Sequence, residues 1–150
     1  MSYFTAVLVR DGEKWSPRDV DVDDVENLDD LADRLRLIEA EDEPVLLFVE
    51  REDAWWAVVR VDGDEDPRVF VSDVGAAARS SYGTFLEVAD ADSGDEDATG
   101  VCGGDFDVLA DLGTSADDLH QMCDDELIPM DALAAVAEAG GFAEALDSLR

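Results

Sequence analysis

The sequence predicts an α+β fold, in which an antiparallel five-stranded sheet with helices precedes a small C-terminal helical module. Three patterns predict it. Runs typical of strands occur in the first half of the chain, leucines at helical spacing separate the second run from the third, and helical spacing returns near the C-terminus. The predicted strands are residues 3–10, 14–20, 45–51, 54–61 and 68–72.

The first two predicted strands form a hairpin, because Asp11 and Gly12 make a two-residue turn signal between them. Pro17 has no backbone N–H to donate, which places the second strand at an edge of the sheet. Apolar residues at spacings of three, four and three between Leu28 and Ile38 predict one amphipathic helix. The three later strands are joined by short polar links into a meander, and we expect one face of the sheet to be covered.

The composition predicts a sheet domain at 1–87, an acidic flexible linker at 88–105 and a helical module at 106–150. An alanine-rich stretch after Asp73 predicts a short helix at the end of the sheet domain. The helical module is small for independent stability, so we expect it to dock on the sheet or on a partner. The order of elements in the sheet domain resembles the profilin-like or Roadblock type of sheet, which often serves as a binding platform.

The chain has 40 acidic and 10 basic residues, which gives a formal net charge of −30. This charge argues against direct binding of nucleic acid or of an anionic membrane, because both are held mainly by Lys and Arg. A basic protein is therefore the expected partner. A salt-adapted proteome or GC-rich coding would explain the same composition without a functional role.

The cysteine content and the N-terminus predict a cytoplasmic protein. Cys102 and Cys123 are the two cysteines, and no secretory leader precedes them, which fits reduced thiols better than a disulfide framework. The apolar run at 45–49 is far shorter than the roughly 20 residues that a membrane helix needs. We expect no membrane span.

The sequence gives little support for a metal site or a catalytic site. His120 and the two cysteines are too few for a zinc site, and the alternating aspartates of 62–66 precede Pro67 where a calcium loop needs glycine. The aspartates of 19–23 have no apolar surroundings, and Ser80 and Ser81 lack both a nucleophile elbow and a nearby histidine. We expect no catalytic residue, no metal and no cofactor.

The fourth predicted strand carries the most unusual local feature, two tryptophans and an arginine. Period two places Trp56 and Arg60 on one face and Trp55 on the other. In one interpretation each arginine pairs with a nearby aspartate and both tryptophans lie in the core. In the other, aromatic and arginine side chains anchor a partner. The partner-binding candidates are Trp56, Arg60, Arg68, Arg79 and Tyr82.

These residues also carry a family resemblance. The stretches VRVDG at 59–63, EDPRVFVSD at 65–73 and AAARSSY at 76–82 resemble the actinobacterial family called tRNA adenosine deaminase-associated protein. Shorter similarities occur at 3–4, 23–26, 52–55 and 110–113. The resemblance implies association with the deaminase and assigns no activity and no functional residue.

The chain is not the deaminase itself, because zinc deaminases need His-x-Glu followed by Pro-Cys-x-x-Cys, and here Gln121 and Met122 follow His120. Three functions remain open. The first is a non-enzymatic accessory protein that binds the tRNA adenosine deaminase or another basic protein. The second is an acidic nucleic-acid mimic or inhibitor of a basic nucleic-acid-binding protein, and the third is an uncharacterised enzyme.

Overall fold

The structure is a computed structural model that describes residues 3–11, 14–18, 28–36, 44–51, 55–62, 68–73, 103–104, 106–125 and 128–148. The strands are β1 (Tyr3–Asp11), β2 (Lys14–Arg18), β3 (Pro44–Arg51), β4 (Trp55–Asp62), β5 (Arg68–Val71) and β6 (Gly103–Gly104). The helices are α1 (Leu28–Arg36), α2 (Ala116–Asp124), α3 (Pro129–Gly140) and α4 (Ala143–Ser148), with a 3₁₀ turn at Ala110–Leu112. The predicted helix after Asp73 lies outside the described residues, as does most of the predicted linker.

The strands form one antiparallel sheet in the order β2-β1-β3-β4-β5-β6. This confirms the predicted α+β class and the antiparallel five-stranded sheet. Pro17 lies in the outermost strand, β2, as its missing N–H predicted. The sixth strand was not predicted: Gly103 and Gly104 extend the sheet by pairing with Val71 and Phe70 of β5.

The central strands β1, β3 and β4 are buried on both faces of the sheet, so the prediction that one face would be covered is wrong. Along β4, Trp55 is 0% exposed and Trp56 is 2% exposed, although successive side chains point to opposite faces. Along β3, every residue from 45 to 49 is buried. The continuous apolar run of β3 is the pattern of a strand that is covered on both sides, whereas alternation marks a strand with one solvated face.

The C-terminal helices and the sheet share one hydrophobic core. Helix α3 contacts β3 and β4, and α4 contacts β1 and β2. The sheet side chains in this core are Ala6, Leu8, Leu46, Phe48, Trp56, Val58 and Phe70. Helix α1 also contacts β4, and its buried residues Leu31, Ala32 and Leu35 lie outside this cluster, in the layer on the other face.

Aromatic contacts join the helical layer to the edge of the sheet. Phe142 packs edge-on against Trp15 of β2, with ring centroids 5.2 Å apart, and lies tilted against Phe48 of β3, with centroids 5.5 Å apart. The indole N–H of Trp15 donates to the carbonyl of Gly140 at 3.2 Å. The edge strand is therefore fixed to the end of α3.

Residues that favour helix ends mark the start of α2 and both ends of α3. Ser115 and Asp118 form a capping box at the start of α2, with hydrogen bonds of 3.2 and 3.1 Å. Pro129 occupies the first turn of α3, and Gly141 ends that helix at φ 77°. Gly113 has φ 101°, and a Cβ there would lie 2.3 Å from the carbonyl oxygen of Ala139, so α3 passes directly over the turn.

Candidate partner-binding surface

The structure places Trp56, a predicted partner contact, in the core. Its ring is tilted against Phe70 with centroids 5.3 Å apart. Its backbone N–H donates to Oγ of Ser72 at 2.9 Å, and its carbonyl accepts from the N–H of Ser72, also at 2.9 Å. Trp56 therefore stabilises the junction of β4 with the residues after β5.

Arg60, a second predicted contact, is a buried cation that joins the sheet to the helical layer. It is 6% exposed, and its guanidinium donates to both carboxylate oxygens of Asp111, with an Nη2 to Oδ2 distance of 2.9 Å. Nη1 also donates to the carbonyl of Val108 at 2.8 Å. A planar guanidinium suits this bidentate arrangement. Arg60 thus pairs with an aspartate, but this aspartate lies 51 positions further along the chain and is not one of the neighbouring aspartates that the first interpretation invoked.

Arg68 is half-buried and lies directly opposite Arg60 in the β4–β5 register. Two like charges in facing positions repel each other, so a carboxylate nearby is stabilising. The hydrogen bonds from Arg60 lower the pKa of the Asp111 carboxyl, partial burial opposes this effect, and the charges of Arg60 and Arg68 lower the pKa further. Asp111 therefore stays ionised beside both arginines. Arg79 and Tyr82 lie outside the described residues.

The outward side of the helical layer carries charge of one sign. Residues 106–148 contain neither Lys nor Arg, and every acidic residue that the structure describes in this range is exposed. We call these residues the acidic helical surface: Asp107, Asp111, Asp117, Asp118, Asp124, Asp125, Asp131, Glu138, Glu144 and Asp147. Asp111 and Asp118 also make the internal contacts described above.

A stacked pair of rings lies at this surface. The imidazole of His120 on α2 stacks on Phe106, with centroids 4.0 Å apart and an angle of 9° between the planes. Phe106 in turn packs edge-on against Phe70 at 5.2 Å. The sequence analysis missed this pair, because His120 and Phe106 are far apart along the chain. The sequence could have shown that Asp117 and Asp124 lie on the same helix face as His120, because they are three residues before it and four after it.

The described residues show no arrangement suited to metal chemistry. They contain no group of three or more His, Cys, Asp or Glu side chains that could hold a metal ion. His120 is exposed and Cys123 is half-buried. Cys102, Ser80, Ser81 and the aspartates of 19–23 lie outside the described residues, as do residues 63–67 of the candidate calcium loop. No helix in the described part is long and apolar enough to cross a bilayer.

A family comparison extends over both the sheet and the helices. The family model described as Rv3753c-like tRNA adenosine deaminase-associated protein matches residues 3–143. The chain belongs to this family. The matched range contains both Arg60 and Asp111, so the contact between the sheet and the helical layer lies wholly within the family region.

The other two comparisons found no matching curated protein and no matching solved structure. The likeness to a profilin-like or Roadblock sheet therefore stays a prediction. The family description indicates association with a tRNA adenosine deaminase.

Proposed function

We propose that the protein is a non-enzymatic, cytoplasmic accessory protein that binds a tRNA adenosine deaminase through the acidic helical surface. The observation that carries the proposal is the one-sign charge of residues 106–148, all of whose described acidic side chains are exposed. An enzyme that holds tRNA needs a basic face for the phosphates. A carboxylate-rich protein surface is complementary to such a face.

The burial of two candidates moves the proposed contact away from the sheet. Trp56 and Arg60 lie in the core and make internal contacts, so their role is to stabilise the fold that carries the binding surface. Arg68, Arg79 and Tyr82 stay candidate partner contacts. The unit that binds is the sheet and helical layer together, because they share one core.

The test is direct binding of the purified full chain to the tRNA adenosine deaminase of the same organism, measured by calorimetry at low and at physiological salt. We expect binding at low salt that weakens as salt is added, since exposed charges are screened beyond about 8 Å at physiological ionic strength. No binding at low salt would reject the proposal.

Charge variants locate the contact. Asp131→Asn with Glu138→Gln removes two charges from the acidic helical surface, and Asp30→Asn with Asp33→Asn removes two exposed charges from α1. At roughly 0.5 kcal/mol for each exposed charge pair, the first variant should bind about fivefold more weakly. The α1 variant should bind nearly as well as the wild-type chain. An equal loss in both variants would reject the helical surface as the contact.

The same one-sign surface also favours the second function, an acidic nucleic-acid mimic or inhibitor. A mimic occupies the site of the RNA, so tRNA and the protein would compete for the deaminase. An accessory protein that docks beside that site would form a ternary complex with tRNA and enzyme. Competition, together with a steep salt dependence and tolerance of single substitutions, would favour the mimic.

A further inference from the structure

The outward face of α2 combines an aromatic ring with exposed carboxylates. Phe106 covers one face of the His120 imidazole in a near-parallel stack, while His120 as a whole stays exposed. Among the described residues, the imidazole makes this stack but no hydrogen bond and no ion pair. A planar ligand that reaches the exposed His120 would stack on the ring face opposite Phe106.

Two acidic side chains flank this ring. Asp117 lies three residues before His120 and Asp124 four residues after it, and these spacings bring side chains together on one face of a helix, about 5 to 6 Å apart at Cβ. Both are exposed, and neither has a hydrogen bond or an ion pair within the described part of the chain. Asp118 and Asp125 differ, because they are bonded to Ser115 and Gln121.

We propose that this face of α2 receives an arginine side chain of the partner protein, whose guanidinium stacks on His120 and pairs with Asp117 and Asp124. The proposal rests on the proposed function, because it names the side chain by which a basic partner is recognised. The stack on Phe106, which itself packs on Phe70 of the core, holds the imidazole in place before binding. A fixed ring loses little conformational freedom when the partner arrives.

The chemistry of the face selects arginine over other ligands. A guanidinium is planar, stacks on aromatic rings and pairs with carboxylates through a fork of N–H groups, whereas a lysine ammonium is a compact, strongly hydrated charge. A nucleotide could stack its base on the ring, but the adjoining carboxylates would repel its phosphate. Arginine is also among the residues that most often dominate binding energy at protein interfaces.

The single histidine of the chain allows a direct test, because every imidazole NMR signal belongs to His120. The full chain is titrated with Nα-acetyl-arginine amide, with the lysine analogue and with AMP. We expect the imidazole signals to shift in a saturable way with the arginine probe and much less with the other two. The proposal would be overturned by equal shifts with the lysine analogue or by larger shifts with AMP. It would also be overturned if the arginine probe caused no shift at 50 mM, which is about a hundredfold excess over the protein.

The deaminase provides the second measurement. His120→Ala should weaken its binding about tenfold, whereas Ala replacement of the neighbouring exposed Gln121 should change it less than about twofold. Asp117→Asn with Asp124→Asn should lose more affinity than Asp131→Asn with Glu138→Gln, which changes the charge equally. Wild-type-like binding by the His120 variant would refute the arginine site while leaving the proposed function intact. Failure of the wild-type chain to bind would refute the proposed function, and the arginine titration would still decide the site.

Discussion

Removing the carboxylate of Asp111 should destabilise the fold, because it takes two charge-assisted hydrogen bonds away from the buried cation of Arg60. Two unit charges about 4 Å apart interact by about 1 kcal/mol in water and about 4 kcal/mol at the effective dielectric constant near a protein surface. The side chain of Arg60 is 7% exposed and that of Asp111 is 63% exposed, so the pair lies between these limits. We expect Asp111→Ala to lower the free energy of unfolding by about 2 kcal/mol.

The assay is urea unfolding followed by tryptophan fluorescence, since Trp55 and Trp56 are buried in the native state. Asp117→Ala is the matched control: it removes the same charge from an exposed site without a described ion pair, and its effect should lie within about 0.5 kcal/mol of zero. A loss for Asp111→Ala no larger than that for Asp117→Ala would refute the reasoning.

The pH dependence of the same difference gives a second check. The pKa of Asp111 is lowered from its ordinary value of 3.8 in the folded protein, chiefly by the hydrogen bonds from Arg60. A lowered folded-state pKa means that the stabilisation is fully present above the unfolded-state pKa and is lost as pH falls through the folded-state value. The difference between wild type and Asp111→Ala should therefore persist at neutral pH and shrink below about pH 4. A difference that grows on acidification would contradict the assignment.

Three further predictions concern packing and charge. Gly113→Ala should lower the free energy of unfolding in urea by at least about 2 kcal/mol, because it combines strain at positive φ with a clash against Ala139. Gly141→Ala meets no neighbouring atom and should lower it by only about 1 kcal/mol. Equal losses would show that the clash plays no role. Trp15→Phe should cost about 1 kcal/mol through the lost hydrogen bond to Gly140, and an unchanged midpoint would show that the bond is not formed. The thermal midpoint should rise as NaCl increases from 0.02 to 0.5 M, because a net charge of −30 repels itself, and a flat or falling midpoint would contradict this.

Much of the fold could be predicted from local patterns. The turn signal at Asp11 and Gly12, the alternation of β1 and the apolar runs of β3 and β4 predicted the sheet, since these patterns act between near neighbours. The strand β6 could not be predicted, because two glycines offer no side-chain pattern and pair only through their backbones. The contacts of α3 and α4 with the sheet join segments that are far apart along the chain, so the strand patterns could not decide whether the helical module docks on the sheet or on a partner.

The candidate surface could be predicted less well than the fold. The composition predicted a basic partner. The apolar position of Leu119 in α2 indicates which side of that helix faces the core, and hence which side chains face outward. The bond between Arg60 and Asp111 joins residues 51 positions apart, and a chain with 40 acidic residues offers many equally plausible counterions. The stack of Phe106 on His120 likewise depends on where the loop before the 3₁₀ turn meets α2.

The position of Arg60 has a practical consequence for dividing this protein into fragments. A fragment that ends before residue 106 would lack Val108 and Asp111, which accept hydrogen bonds from the guanidinium of Arg60, and it would uncover Leu8, Leu46, Phe48 and Trp56 together. The complementary fragment would lack the strands against which its helices pack. Pull-downs with either fragment would detect nonspecific binding to exposed core residues. The deaminase contact should therefore be mapped with point substitutions in the intact chain.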